Sequence, residues 1–271
     1  MSTLRQHYVL TPSHVREPYL FYLLTHPPES IVHLRRAPPE PAPKKSKKSA
    51  TKGDKKKTKS TPTEGEIVQP PPTIIFCARP RSAAYLTYLL KSLGIRSTAL
   101  HSRLTQRERL TSLSLFRSSV VPVLISTDVG SRGLDIEGVA LVINWDVPSE
   151  PEEYTHRVGR TARKGRGGVA VSFVTERDEE KVLKIEGRIS MLAECSLPLD
   201  EILTNVLADT KLSEMVLPEE QVLERLGAVS TAKRLANMVR FVSILRINFL
   251  PTHKSTPHLS RSYPLPHSDR Y

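Results

Sequence analysis

The sequence predicts an α/β fold: a single lobe in which a mostly parallel sheet is covered by helices on both faces, with a disordered insertion and a disordered tail. Three observations predict it. From Thr73 onward, short apolar runs of strand length alternate with amphipathic stretches long enough for crossover helices, the pattern of strand–helix–strand units and a parallel sheet. Ahead of that body, a block of lysines and prolines breaks into otherwise patterned sequence. Behind it, the chain ends in residues rich in Pro, His and Ser with no hydrophobic period.

The elements follow in order. Leu4 to Leu10 alternates apolar and polar residues, which predicts a half-buried strand. Ser13 is placed to cap a helix whose Val15, Tyr19, Tyr22 and Leu23 share one face. Lys44 to Lys59 then hold nine lysines against the single Asp54, between Pro38, Pro39, Pro41 and Pro43 on one side and Pro70, Pro71 and Pro72 on the other. A segment this polar cannot bury enough apolar surface to offset its ordering entropy. It is expected to be disordered, and it suits a solvated linker, a nuclear or nucleolar address, or a phosphate-binding arm. Strands are expected at residues 74–77, 97–100, 121–125, 140–143 and 168–173. Helices are expected at 82–93, ended by Gly94, and at 105–116, 149–158 and 176–192. After Pro218, residues 219–240 are helical in character, with Val222, Leu223 and Leu226 at helical spacing, and read as a helix packed on the lobe. The resulting organisation is 1–34 entry strand and helix, 35–72 insertion, 73–205 main domain, 206–246 helical extension and 247–271 tail.

Charge does not spread evenly over these pieces. Lys and Arg number 40 and Asp and Glu 28, a net charge of +12. Residues 1–72 carry +7, residues 73–190 carry +5 and residues 191–271 are neutral, so the basic excess lies mainly in the lysine run rather than in the folded body. Cys77 and Cys195 are too few for a disulfide scaffold or a cysteine-rich metal site, which fits a reducing compartment. No apolar run reaches the roughly 18–20 residues that span a bilayer, so no membrane partner is expected.

In a parallel α/β sheet, ligands bind beyond the carboxyl ends of the strands. The run ending at Ile125 leads directly into Ser126-Thr127-Asp128-Val129-Gly130-Ser131-Arg132-Gly133-Leu134-Asp135. Two glycines permit close backbone approach, Thr127 and Ser131 offer hydroxyls, and Arg132 and Asp135 put opposite charges into one short turn. Such a loop can grip phosphate and ribose. The next segment but one reads Tyr154-Thr155-His156-Arg157-Val158-Gly159-Arg160-Thr161-Ala162-Arg163. Arg157, Arg160 and Arg163 recur every third residue, which on a helix makes a slanted ridge. Guanidinium forks suit phosphoryl oxygens and stabilise the charge of a transferring γ-phosphate.

Residues 127–135, followed about twenty residues later by 156–163, resemble the C-terminal RecA-like lobe of the DEAD-box RNA helicases. The resemblance extends to Ile74-Ile75-Phe76-Cys77, to Leu100-His101-Ser102 with Gln106 and Arg109, to residues 142–148, and to residues 4–24 as the linker strand and helix that enter this lobe. It implies a RecA-like three-layer sandwich. It also implies arginine fingers at Arg160 and Arg163. An ATP-side surface follows at Gly133, Asp135, His156 and Arg157, with Asp135 on the ribose and His156 and Arg157 facing the partner lobe. Finally it implies contacts to RNA, single strand or duplex, through the sugar-phosphate backbone from Arg79, His101, Gln106, Arg109, Thr127, Asp128 and Arg132, independent of base sequence. ATP and Mg2+ are the implied cofactors, and an N-terminal RecA-like lobe and pre-ribosomal proteins the implied partners. The wording of residues 141–166 is most similar to the fungal nucleolar branch that serves small ribosomal subunit assembly, which implies a nuclear, nucleolar site of action. Three departures stand out. Gly130 replaces the usual Ala and is expected to be tolerated, Arg79 stands where a Thr helps hold RNA, and Ser102 stands where many members have Gly.

ATP hydrolysis needs a Gly-x-x-x-x-Gly-Lys-Ser/Thr loop and acidic residues for Mg2+, and neither motif occurs in the 271 residues. Because the chain begins at the linker strand, the first lobe is expected to be missing by truncation, this chain alone to be inactive, and no cofactor to be bound by it alone. The alternative reading is a non-catalytic RNA-binding or regulatory module that uses its basic face without turnover.

Overall fold

The computed structural model describes residues 4–35, 68–131, 133, 134, 136, 138–162, 167–194 and 212–249, with side chains omitted at 191–194 and 240–249. The lysine-rich block, the tail beyond 249 and the expected disorder of both lie outside the described residues. Among those residues, seven parallel strands form one sheet in the order β3-β4-β2-β5-β6-β1-β7. They are β1 (Leu4–Leu10), β2 (Thr73–Phe76), β3 (Ser97–Leu100), β4 (Val123–Ser126), β5 (Leu141–Asn144), β6 (Gly168–Val174) and β7 (Ser213–Glu214). The helices are α1 (Arg16–Thr25), α2 (Glu29–Val32), α3 (Pro80–Ser92), α4 (Gln106–Arg117), α5 (Asp128–Ser131), α6 (Pro151–Val158), α7 (Glu179–Glu194), α8 (Glu219–Leu223) and α9 (Leu226–Phe249). None is long and apolar enough to cross a membrane.

Every residue of β2, β4, β5 and β6 is buried. Alternate side chains along a strand point to opposite faces, so each short apolar run supplies two cores at once. Ile75, Ile143, Val171 and Phe173 join α1, α3 and the buried Val229, Ala232 and Ala236 of α9 on one face. Ile74, Phe76, Val142 and Ala170 join Leu113 and Phe116 of α4, Tyr154 and Val158 of α6, and Ile185 and Ile189 of α7 on the other. That is a three-layer sandwich.

Several local readings change. Val15 rather than Ser13 is the N-cap of α1, and no side chain caps it. All of Glu17 to Leu24 is buried rather than one face, because α8 and α9 cover the side of α1 that the sheet does not. In β1 the buried set includes Gln6, whose Oε1 accepts from Tyr154 Oη at 2.9 Å, while Leu10 is exposed. The edge strand β7 pairs with β1 at His7 and Tyr8, an element the sequence reading did not contain. α4 matches its expected start: Thr105 is the N-cap, and its hydroxyl and the Glu108 carboxylate complete a capping box.

Candidate functional site at the carboxyl edge of the sheet

β2, β4 and β5 all end at the same edge, and the turns that leave them build the site. At the end of β4, Thr127 N donates to Leu100 O at 3.2 Å, Gly130 N donates to Thr127 Oγ1 at 3.3 Å, and Ser131 N donates to Thr127 O at 3.1 Å. The turn is thereby pressed onto the end of β3. A Cβ at Gly130 would fall 2.4 Å from Leu100 O and 3.0 Å from His101 Cα. The chain accommodates Gly130 where the resemblance has Ala, and in this packing a Cβ would not fit, because backbone rather than a movable side chain fills the space. Gly133 has φ +72° and open space around its Cβ position, so its backbone conformation, rather than crowding, calls for glycine.

α6 ends at Val158, so Arg157 and Arg160 do not share one helix. Arg157 turns inward and is 3% exposed. Its Nε and Nη2 each donate at 2.7 Å to the two carboxylate oxygens of Asp128, and its Nη1 donates to Asp146 O at 2.7 Å and Asn144 Oδ1 at 3.3 Å. Asn144 Nδ2 continues the network to Ser172 Oγ at 3.0 Å. This fork geometry is among the stronger charge-assisted arrangements available to an arginine. Arg157, expected on the ATP side, and Asp128, expected on RNA, are thus bound to one another. Arg160, beyond the helix, is half-buried, and its Nη1 donates to Leu134 O at 2.9 Å.

Two clefts open on this edge, and Asp128, Glu153 and Arg157 line both. The smaller, about 250 Å³, brings together Ser131, Gly133, His156 and Arg160. The larger, about 530 Å³, brings together Arg79, Ser82, Ser102, Thr127 and Lys181. The residues assigned to ATP and to RNA by resemblance thus divide between adjoining clefts, with the Arg157–Asp128 pair as the shared wall. Arg132, Asp135 and Arg163 lie outside the described residues. His101, Gln106 and Arg109 line neither cleft. Arg109 Nη2 donates to Gly130 O at 3.2 Å and its Nη1 to Gln106 Oε1 at 3.3 Å, so the pair braces the same turn from outside. His101 is buried, its Nδ1 has no partner, and burial together with the Arg103 charge lowers its pKa. His101 is thus enclosed and lies outside both clefts.

Sequence reasoning missed three participants. Asp146, at the end of β5, accepts from Ala78 N at 2.8 Å and lies 3.6 Å from Arg16 Nη2. Arg16 also stacks 4.2 Å from the Trp145 ring, tying the entry helix to the site. Lys181 is held by Asp178 at 2.7 Å. Burial alone would raise the pKa of Asp178, but its hydrogen bonds from Lys181 and from Thr175 outweigh that and hold it below the ordinary carboxylate value of 3.8. For Asp146 the strand-end rule was a usable signal; Lys181 reaches the cleft only through the packing of α7.

The implied cofactors fit unequally. Arg160, His156 and the φ-positive turn at Gly133 suit phosphoryl oxygens, but a cleft of about 250 Å³ lies below the usual range for a complete ligand pocket, roughly 300–1,000 Å³. Among the described residues, no group of three or more His, Cys, Asp or Glu gathers to hold a metal ion.

A parallel sheet with paired clefts at its carboxyl edge and a Thr-Asp…His-Arg…Arg arrangement across them is that of a helicase C-terminal RecA-like lobe, and the helicase conserved C-terminal domain family matches residues 59–165. Within that class, the chain belongs to the DEAD-box family of superfamily 2. It is 43% identical over 250 residues to the ATP-dependent RNA helicase DBP8 of Mycosarcoma maydis, covering 87% of this chain and 43% of that protein. The dbp8 helicase of Schizosaccharomyces pombe is 39% identical over 238 residues, covering 88% of this chain and 40% of that one. The chain thus spans less than half the length of these fungal relatives. In fold it resembles the Escherichia coli DEAD-box protein SrmB, solved bound to the regulator of ribonuclease activity A, with a TM-score of 0.54 and 23% identity over 82% of this chain and 95% of that one.

Proposed function

We propose that this chain works as the C-terminal lobe of an ATP-dependent RNA helicase, completing the nucleotide site and the RNA groove of an N-terminal RecA-like lobe. The observation that supports it is the division of the carboxyl edge into two clefts with one shared wall. Arg160 and Arg163 are the arginine fingers, Gly133 and His156 line the cleft with Arg160, and Asp135 takes the ribose. Arg79 and Thr127, joined by Lys181, meet the sugar-phosphate backbone of RNA, with Arg132 in the same turn. Arg157 is a positioning residue: by holding Asp128 and the end of β5 it sets the distance between the clefts. Bound ATP supplies the phosphoryl group whose transfer to water drives the cycle, and the N-terminal lobe holds most of it and the Mg2+. This chain's share is to place guanidinium charge where negative charge develops, worth roughly 10³-fold or more in rate. The role in rRNA processing and ribosome biogenesis, the contacts with pre-ribosomal proteins and the nucleolar location rest on the likeness to the fungal branch.

The test uses the chain alone and fused behind an N-terminal DEAD-box lobe. Alone, it should show no ATPase activity above background with or without RNA, and turnover by residues 1–271 would overturn the division of labour. In the fusion, Arg160→Ala should lower RNA-stimulated ATP hydrolysis roughly 10³-fold while ATP still binds. An unchanged rate would mean that Arg160 is not a finger.

A further inference from the structure

A groove of about 630 Å³ lies outside the two clefts, between the end of β1 and α7. Its walls include Tyr8, Leu10, Pro12, Val182 and Leu183. Leu10 is 56% and Leu183 61% exposed, so two large apolar side chains face water in the same depression. Paired exposure of this kind, rather than a lone surface leucine, marks an interaction surface. β7 stands opposite only His7 and Tyr8, and Leu10 lies beyond the part of β1 that this edge strand covers.

The groove also carries a charge of its own. Glu176, Glu179 and Glu186 line it. Among the described residues none of the three has a lysine or arginine partner, whereas the neighbouring Glu180 is paired with Lys184 at 2.8 Å. The adjoining larger cleft is mixed in charge instead, with Arg79, Arg157 and Lys181 beside Asp128, Asp146, Glu153 and Asp178. The two surfaces meet at the turn into α7, where Thr175 and Glu176 line the groove and Asp178 lines the cleft. Unpaired carboxylates repel a phosphate backbone and attract a cationic partner. On a chain of net charge +12, a local acidic rim around an apolar floor selects for a ligand both basic and apolar.

We propose that this groove docks a short peptide segment of another protein, with apolar side chains seated on Leu10 and Leu183 and flanking lysines or arginines facing Glu176, Glu179 and Glu186. The surface is distinct from the residues assigned to ATP and RNA, so its test does not depend on the helicase reading. A random-peptide phage library is selected against the purified chain, and enriched peptides are synthesised and titrated by fluorescence anisotropy. Enriched sequences should combine Lys or Arg with Leu, Ile or Phe. Leu183→Ser should weaken them roughly tenfold or more. The double variant Glu179→Gln, Glu186→Gln should weaken them and flatten the salt dependence, and Arg79→Gln should leave them unchanged. Both glutamates and Leu183 are at least partly exposed, and circular dichroism checks that each variant is folded. Failure to enrich basic, apolar peptides, or affinities that ignore the groove substitutions, overturns the proposal. So does a single-stranded RNA oligonucleotide whose own binding weakens with Leu183→Ser, which would give the groove to RNA.

Discussion

Arg157 and Arg160 stand three residues apart in one motif, yet the molecule uses them in opposite ways. Arg157 lies in the last turn of α6, where its side chain points back over the sheet edge and meets Asp128, Asn144 and the carbonyl of Asp146. Arg160 follows Gly159, after the helix has ended, and lies half-buried in the smaller cleft beside His156 and Gly133. A single helix end separates a residue bound into the network under the clefts from one that lines the smaller cleft. The resemblance puts both on the nucleotide side in different roles; the position of the helix terminus gives them different surroundings.

The two should therefore fail differently. The largest effect expected is kinetic: Arg160→Ala in the two-lobed fusion, roughly 10³-fold in ATP hydrolysis, with less than about 1 kcal/mol lost in stability, as for a substitution away from the core. The next is structural. Arg157→Ala leaves the Asp128 carboxylate beside a buried amide and carbonyl with no counter-charge, and should cost about 3 kcal/mol in urea unfolding. Arg157→Lys should recover only part of that because the fork is lost. Equal destabilisation by the Arg157→Ala and Arg160→Ala substitutions would break the comparison. Gly130→Ala comes third, at about 2 kcal/mol, since the new methyl meets the Leu100 carbonyl. It should also shift Thr127 and so weaken RNA binding.

Smaller effects sharpen the edges of the site. Asp178 titrates lower in the folded chain than in the unfolded one, so its bonds to Thr175 and Lys181 stabilise the fold above about pH 4 and are lost as pH falls through its depressed folded value. Asp178→Ala should cost about 1 kcal/mol at neutral pH and shallow the acid limb of a stability-against-pH curve. Last, Ala162 holds φ +56°, a conformation that costs a non-glycine residue about 1 kcal/mol. Ala162→Gly should return about 0.5–1 kcal/mol of it, visible as a small rise in thermal midpoint.

How much of this was legible in the chain depends on range. The strands at 74–77 and 168–173 were found to within a residue because each apolar run is buried on both faces, so no alternation is needed to see it. The helix expected at 105–116 was equally local, and the structure starts it with a capping box of Thr105 and Glu108. β7 was not legible: two exposed residues, Ser213 and Glu214, carry no pattern, and only the free edge of β1 makes them a strand. The burial of Gln6 was hidden because its partner, the Tyr154 hydroxyl, is 148 residues away. The burial of His101 was hidden likewise, since Gly130, in the turn that leaves β4, packs against its backbone.

By itself, then, the sequence determined the class of fold and the family motifs, both of which rest on near-neighbour pattern: apolar runs, caps, and the order of residues along a loop. Tertiary structure decided what the motif residues do. It paired Arg157 with Asp128, enclosed His101, required glycine at 130, brought Lys181 to the cleft and set an acidic, apolar groove beside a cleft of mixed charge. Those outcomes depend on distances between segments far apart in the chain. Charge, burial and steric contact act through space, and no local spacing records them.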